Sequence, residues 1–295
     1  MNRLKTILVG VDFSDGSRRA LEQAVRLAQW NQAHLRIIHA LDPDVMDFVG
    51  EEMPPALDEL RRRLREQSIA RLAEWAEQAG VPDGHSREVM YGAPLDVLLQ
   101  ESRSRGADLL VLGATGESAL THGTGTLATK CLRKAAIKVM LVHPSQTRPF
   151  RRVLACVDFS ETSRTAVTQA MHVAAQEQAE LHLLHVFRAE WKLWNSELQF
   201  PALADFEKSH QTILENNLRQ FTGVPTGVKV IYAVTQANTH GAGITEYAHQ
   251  IQADLVVLGS KGRTNLNYVL LGSTVDRLLK EIPCSVLLVR PPVAI

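Results

Sequence analysis

The residues with the clearest capacity for chemistry lie in Asp254–Thr274, which reads DLVVLGSKGRTNLNYVLLGST. An apolar run leads into Gly259, a polar loop containing Gly262 follows, and Gly272 stands just before a predicted helix. Glycines let the backbone approach a phosphate closely, and a helix N-terminus directs free N–H groups toward an anion. This stretch therefore predicts an anion-binding loop suited to phosphate groups.

A second, imperfect copy of this loop lies at Asp108–Thr126, which reads DLLVLGATGESALTHGTGT. Nine residues separate Gly262 from Gly272 in the later copy, whereas only eight separate Gly116 from the aligned Gly125 in the earlier copy. The earlier copy also carries Glu117 where the later copy carries Arg263, and a carboxylate beside a phosphate is repulsive. We therefore expect the earlier loop to bind phosphate less well and to serve mainly as a structural twin.

The repeat extends over the whole chain. A shift of 146 residues aligns Ile7–Ser14, ILVGVDFS, with Val153–Ser160, VLACVDFS. A short polar linker with two prolines, near residues 143–149, separates the two halves. The sequence thus predicts a duplicated domain, with one copy over residues 1–145 and the other over residues 150–295.

Short apolar runs alternate with helical patterns in each half. In the first half, strands are predicted near 4–11, 35–41, 86–91, 108–112 and 138–142, with helices near 15–31, 55–79, 94–105 and 126–136. Apolar strands joined through helices indicate a parallel sheet covered on both faces, with right-handed crossovers. The predicted fold class is α/β, with two tandem doubly wound parallel five-stranded sheets of the Rossmann-like or flavodoxin-like type.

Composition and charge limit the classes of partner. The 295 residues include 32 Lys and Arg against 32 Asp and Glu, so no net field favours nucleic acid or an anionic membrane. No apolar segment approaches the ~20 residues that a membrane helix needs. The three cysteines are far apart in sequence and form no CxxC pair, which is typical of a reducing compartment. We therefore expect a cytoplasmic protein with neither nucleic-acid nor membrane partners.

A carboxylate is expected close to the later glycine loop. In open parallel sheets, ligands bind at the carboxyl ends of the strands where the strand order reverses. Asp158 follows the first predicted strand of the second half, and Gly259 ends the fourth. An aspartate in that position can accept hydrogen bonds from ribose hydroxyls or from an adenine amine. The alternative is that Asp158 only forms a cap or an Asx turn in VDFSETS, and the sequence leaves both interpretations open.

These motifs resemble the universal stress protein family in its tandem two-domain form, over nearly the whole chain. Nucleotide-binding members of that family carry Gly-x2-Gly-x9-Gly-Ser/Thr, and the later loop satisfies this pattern in full. The resemblance implies ATP, with or without Mg²⁺, or another adenine nucleotide as the ligand. It implies these contact residues: Asp158 at the ribose, Cys156 and Val186 at the adenine, and Gly259, Gly262, Gly272, Ser273 and Thr274 at the phosphates. The secondary candidates are the first-half counterparts Asp12, Ala40, Gly113, Gly116, Gly125 and Thr126.

Catalytic motifs are missing from the sequence. It contains no GxSxG elbow, no HExxH and no GxxxxGK[ST] loop, and the 11 histidines lack a metal-ligand spacing with cysteines. We therefore predict neither catalytic residues nor a metal site, and expect a nucleotide-dependent regulator or sensor. Two alternatives stay open: a nucleotide-free scaffold that uses Trp191 and Trp194 for protein contacts, and a slow ATPase.

The last strand of each half is predicted to be short and apolar, at residues 139–142 and 286–289. An apolar strand at a sheet edge is a liability unless it is paired. The family resemblance implies dimerisation through this strand. In a tandem chain we expect the two copies to pair within one molecule, and a further homodimer of such molecules stays open.

Overall fold

The computed structural model describes residues 4–42, 54–115, 125–188, 202–223, 227–260, 273–280 and 284–291. The chain divides into two compact units, Met1–Thr147 and Arg148–Ile295. None of the helices within the described ranges is both long enough and apolar enough to cross a membrane.

The first unit alternates strands and helices along the chain. Its elements are β1 (Thr6–Gly10), α1 (Asp15–Asn31), β2 (His34–Leu41), α2 (Pro54–Gln78), β3 (Ser86–Tyr91), α3 (Pro94–Ser104), β4 (Leu109–Gly113), α4 (Thr126–Lys134) and β5 (Lys138–Val142). The strands form a parallel sheet in the order β3-β2-β1-β4-β5. The chain therefore reverses its direction of travel across the sheet between β1 and β4.

The second unit repeats this plan. Its elements are β6 (Arg152–Cys156), α5 (Glu161–Glu177), β7 (Glu180–Phe187), α6 (Ala202–Thr222), β8 (Val230–Gln236), α7 (His240–Gln250), β9 (Leu255–Gly259), α8 (Ser273–Lys280) and β10 (Ser285–Val289). Its parallel strands follow the order β8-β7-β6-β9-β10, so the reversal falls between β6 and β9.

The central strands supply the core of each unit. Ile7, Leu8 and Val9 of β1 have no exposed surface, and the same holds for the β6 residues 153–155. Continuous apolar strands of this kind are typical of parallel sheets that are covered on both faces. The predicted parallel α/β architecture is confirmed, and every element predicted for the first half lies within two residues of its observed bounds.

An aspartate at the start of the fourth strand ties the two central strands of each sheet together. In the second unit, Asp254 Oδ2 accepts hydrogen bonds from the backbone N–H groups of Arg151, at 2.7 Å, and Arg152, at 2.9 Å. In the first unit, Asp108 Oδ2 accepts from the backbone N–H groups of Lys5, at 2.6 Å, and Thr6, the first residue of β1, at 3.0 Å. This contact lies at the amino end of the sheet, and it fixes the strands that flank the point of reversal.

Replacement of Asp254 by alanine should destabilise the second unit, because it leaves two backbone donors without their acceptor. We expect the free energy of unfolding to fall by about 1–3 kcal/mol in chemical denaturation followed by circular dichroism. Asp254→Asn keeps an amide oxygen that can accept both bonds, so the free energy of unfolding should fall clearly less in this variant. Equal losses for the two variants would contradict this role.

Candidate functional site

The strand reversal in the second unit brings the carboxyl ends of β6 and β9 together. The register ends with the pair Ala155 and Val257, and Asp158 and Gly259 follow three and two residues later, respectively, along the chain. The backbone N–H of Val157 also donates to the Leu184 carbonyl at 2.8 Å, which extends the contact between β6 and β7. Asp158 thus lies at the crevice in which doubly wound sheets bind ligands.

The Asp158 side chain is held by the turn that follows it. Its Oδ1 accepts hydrogen bonds from the Ser160 backbone N–H at 3.0 Å and from the Ser160 hydroxyl at 2.6 Å. Ser160 in turn caps α5, because its Oγ accepts from the Ser163 N–H at 3.1 Å. Asp158 therefore forms the Asx turn that the sequence allowed. This turn leaves the second carboxylate oxygen, Oδ2, as the atom that a ribose hydroxyl could approach.

The same turn in the first unit has nearly identical geometry. Asp12 Oδ1 accepts from the Ser14 N–H at 3.0 Å and from the Ser14 hydroxyl at 2.6 Å. Ser14 then caps α1 through the Ser17 N–H. The turn is thus a property of the duplicated fold, and it does not by itself separate a binding unit from a structural one.

Each of these turns contains a phenylalanine in the left-handed region. Phe159 has φ of 63° and Phe13 has φ of 62°. A bulky residue in this region costs on the order of 1–3 kcal/mol and persists only where surrounding contacts hold it. The Phe159 ring lies 4.6 Å from the His185 ring and 5.4 Å, edge-on, from the Phe221 ring. These ring contacts supply the required support.

A histidine near the end of β7 also fixes the backbone before Asp158. His185 Nδ1 lies 2.8 Å from the Val157 carbonyl oxygen. Because a carbonyl oxygen can only accept, Nδ1 carries the proton and donates. In the first unit, His39 Nδ1 makes the same contact with the Val11 carbonyl at 2.7 Å.

An arginine completes each cluster. Arg164 Cζ lies 4.0 Å from the centre of the Phe221 ring, and its Nη1 donates to the Phe221 carbonyl at 2.7 Å. We call Phe159, His185, Phe221 and Arg164 the aromatic clamp. Its first-unit counterpart consists of Phe13, His39, Trp75 and Arg18, with Arg18 Cζ 4.3 Å from the Trp75 ring. Sequence reasoning did not identify the clamp, although the 146-residue shift aligns all four pairs.

The glycine that ends β9 is needed for packing. A Cβ atom on Gly259 would lie 2.9 Å from the Thr162 methyl group and 3.2 Å from the Thr162 carbonyl carbon. In the first unit a Cβ on Gly113 would lie 2.6 Å from the carbonyl carbon of Gly16. The first glycine of the signature thus lets the end of the fourth strand approach the helix that follows the first strand, α5 in the second unit and α1 in the first, whether or not a phosphate binds.

Val186 lies in β7 against the helix that covers its face of the sheet. A Cβ atom on Gly243 of α7 would lie only 2.7 Å from Val186 Cγ1. At the aligned positions of the first unit the strand carries the smaller side chain, Ala40, and the helix carries the larger one, Val97. Val186 is 5% exposed, and its packing against Gly243 fixes the position of this predicted adenine contact.

Cys156 ends β6, and we expect its thiol to be uncharged at the predicted adenine position. Burial raises the pKa of its thiol well above the usual value, and the nearby Cys284 and Asp158 raise it further. Burial likewise raises the pKa of Cys131 and of Cys284 to about 12. None of the three thiols forms a disulfide, and the raised pKa values favour the protonated thiol near neutral pH.

Histidines make hydrogen bonds within the fold. His182 Nε2 lies 2.8 Å from a carboxylate oxygen of Glu180, and its Nδ1 lies 3.0 Å from the Tyr247 hydroxyl. This contact is on the opposite face of β7 from the His185 contact, as strand alternation requires. In the part of the chain that the structure describes, no three His, Cys, Asp or Glu side chains are grouped so that they could hold a metal ion.

The predicted site residues divide into those that the structure places and those outside the described residues. The structure places these candidates at the carboxyl edges of the two sheets: Cys156, Asp158, Val186, Gly259 and Thr274 in the second unit, and Asp12, Ala40, Gly113, Gly125 and Thr126 in the first. Ser273 begins α8, but its side chain is not described. Outside the described residues lie Gly116, Glu117, Gly262, Arg263 and Gly272, together with Trp191 and Trp194.

Gly243→Ala should lower the free energy of unfolding by about 1–3 kcal/mol, because the new methyl group would overlap Val186 Cγ1. The double variant Val186→Ala/Gly243→Ala should recover part of this loss, since it removes the atoms in the closest contact. Chemical denaturation of both single variants and the double variant would measure the coupling between the two positions. The new methyl group would also lie 2.8 Å from Ala237 Cβ, so only partial recovery is expected. A double-variant loss equal to the sum of the two single losses would contradict coupling between Val186 and Gly243.

Comparison with known proteins agrees with the duplicated fold. The model of the Universal stress protein family matches residues 3–143 and again residues 149–290. A universal stress protein of Mycolicibacterium smegmatis is 28% identical over 296 residues, covering 97% of each chain. One of Thermus aquaticus is 34% identical over 140 residues, covering 47% of this chain and 98% of its own.

A solved structure shows the same fold over the full length. The crystal structure of a universal stress protein from Archaeoglobus fulgidus covers 97% of this chain and 98% of its own, with a TM-score of 0.67 and 19% identity. The family match covers both halves of the chain, in agreement with the repeat seen in the sequence and in the two sheets. The chain therefore belongs to the universal stress protein family, with two copies of the family domain in tandem.

Proposed function

We propose that this protein binds ATP, with or without Mg²⁺, or another adenine nucleotide, chiefly through its second unit. It would act in the cytoplasm as a regulator or sensor. One observation carries the proposal: the Asp158 carboxylate is held by Ser160 just beyond the end of β6, and Gly259, where the complete glycine signature begins, ends the neighbouring strand β9. This arrangement can hold a ribose and a phosphate chain at neighbouring positions.

Each part of the nucleotide has a proposed set of contacts. The ribose would bind at Asp158 Oδ2, and the adenine would lie against Cys156 and Val186. The phosphates would bind along the loop from Gly259 through Gly262 and Gly272 to the start of α8, where Ser273 and Thr274 lie. A helix N-terminus and adjacent glycines together favour an anion. Gly241 lets α7 pack closely against this end of α8, because a Cβ there would lie 3.3 Å from the Thr274 carbonyl oxygen.

Two structural features of the first unit support a preference for the second. Gly10 stands at the position aligned with Cys156. A Cβ on Gly10 would lie 2.7 Å from a Leu112 methyl group and 3.1 Å from a Leu98 methyl group, so the first unit has no room for a side chain at the position of the proposed Cys156 contact. The Gly125 N–H, a candidate phosphate donor, already donates to the Ala114 carbonyl at 2.8 Å. The shorter glycine spacing of the first loop and the negative charge of Glu117 also favour phosphate binding in the second unit over the first.

A further polar group lies beside the second-unit crevice. Ser260 follows Gly259 and is 4% exposed, and its hydroxyl has no hydrogen-bond partner among the described residues. The aligned first-unit residue is Ala114, which has no exposed surface. A buried hydroxyl without a partner is costly. This difference favours a polar environment next to the second-unit loop.

The two units are proposed to pair within one molecule through their last strands. Within its own unit, each of β5 and β10 stands at one end of the strand order. Strand edges of this kind are stable only when they are paired or covered. Small-angle scattering should give the profile of one compact particle, whereas two independently tumbling lobes would contradict the pairing. A homodimer of such molecules remains a separate prediction.

Calorimetric titration with ATP tests the nucleotide proposal. Gly272→Val should abolish binding, because a branched side chain blocks close approach of a phosphate to the backbone. Gly125→Val makes the aligned change in the first unit. Gly125 has φ of −57°, which valine can adopt, so the fold and the affinity should be retained.

Failure of the wild-type protein to bind any adenine nucleotide would contradict the proposed function. A loss of affinity in Gly125→Val equal to that in Gly272→Val would contradict the assignment to the second unit. Circular dichroism of each variant separates a lost site from a lost fold.

A further inference from the structure

We propose that His185 positions the Asp158 carboxylate for the nucleotide, acting through the Val157 carbonyl and the Phe159 ring. His185 is a positioning residue and does not itself contact the ligand. The inference rests on the proposed function, because Asp158 is the proposed ribose contact. Its geometric basis is present without any ligand.

The backbone on the amino side of Asp158 is held by a hydrogen bond. The Val157 carbonyl oxygen belongs to the same planar peptide unit as the Asp158 nitrogen. His185 Nδ1–H donates to that oxygen at 2.8 Å, so it limits rotation of the peptide that leads into Asp158. The Val157 N–H is bonded to the Leu184 carbonyl, which fixes the preceding peptide as well.

The backbone on the carboxyl side of Asp158 is held by the same imidazole. Phe159 keeps φ of 63°, a conformation that a bulky residue adopts only under constraint. The His185 ring packs against the Phe159 ring at 4.6 Å and a 50° tilt. One side chain therefore fixes the residues immediately before and after Asp158. A change in either would redirect the carboxylate.

His185 also connects the two sides of the proposed pocket. It directly precedes Val186, and successive side chains of a strand point to opposite faces of the sheet. Val186 faces Gly243 of α7, whereas His185 faces Phe159, a fellow member of the aromatic clamp. The same short segment of β7 thus sets the adenine wall with one side chain and the direction of the ribose acceptor with the next.

The first unit provides a control built into the same chain. His39 donates to the Val11 carbonyl at 2.7 Å, and its ring lies 4.4 Å from Phe13. If the clamp serves stability alone, equivalent changes at His39 and His185 should have equivalent effects on stability and no effect on affinity. If His185 positions the ribose acceptor, only the change in the second unit should weaken nucleotide binding.

The test uses three variants of the full chain. His185→Phe keeps an aromatic ring but removes the Nδ1 donor, His185→Asn restores a donor near the Nδ1 position, and His39→Phe makes the matched change in the first unit. ATP affinity by calorimetry should fall by about three- to tenfold in His185→Phe, as expected for the loss of one hydrogen bond. His185→Asn should recover part of that loss, and His39→Phe should match the wild type.

Hydrogen–deuterium exchange of the ligand-free protein tests the geometry independently of binding. The Ser160 N–H is bonded to Asp158 Oδ1, so its exchange should accelerate in His185→Phe and stay unchanged in His39→Phe. Wild-type affinity in His185→Phe, or equal losses in His185→Phe and His39→Phe, would overturn the inference. Unchanged Ser160 exchange would also overturn it, even if the wild-type protein binds no nucleotide and the proposed function itself fails.

Discussion

The candidate site depends on a phenylalanine that is held in the left-handed region directly after the aspartate at the end of the first strand. In the second unit this is Phe159, and the strain is supported by ring contacts and by the hydrogen bond from His185 to the Val157 carbonyl. The turn holds the Asp158 carboxylate through Ser160 and leads directly into α5. A small set of contacts therefore links the hydrophobic core to a charged group at the edge of the sheet.

The duplication separates what the fold requires from what a ligand would require. Both units keep the Asx turn, the left-handed phenylalanine, the histidine bond and a glycine at the end of the fourth strand. Each of these features stabilises the packing or the backbone conformation of the fold, so its presence in the first unit does not imply that the unit binds a ligand. The units differ at Gly10 against Cys156, at Ala114 against Ser260, and in the loop spacing. Selection for a ligand is expected at such positions.

The sequence predicted the fold more completely than it predicted the site. Apolar runs and helical periodicity located the first-half elements within two residues, because burial on both faces of a parallel sheet leaves a strong local pattern. The VDFS motif allowed both a turn and a ligand contact for Asp158, and the structure shows the turn. The aromatic clamp was missed because Phe159, His185 and Phe221 come from separate elements, and no propensity favours a left-handed phenylalanine. Gly262 and Gly272 lie outside the described residues, so their roles rest on spacing and on family membership.

We propose that the tandem chain carries one competent nucleotide site, located in the second unit. Native mass spectrometry of the purified full chain, followed by identification of the ligand that is released on denaturation, counts bound nucleotides directly. We expect one adenine nucleotide per chain. Two nucleotides per chain would contradict the difference between the units, and a chain that stays empty even when ATP is added in excess would contradict nucleotide binding altogether.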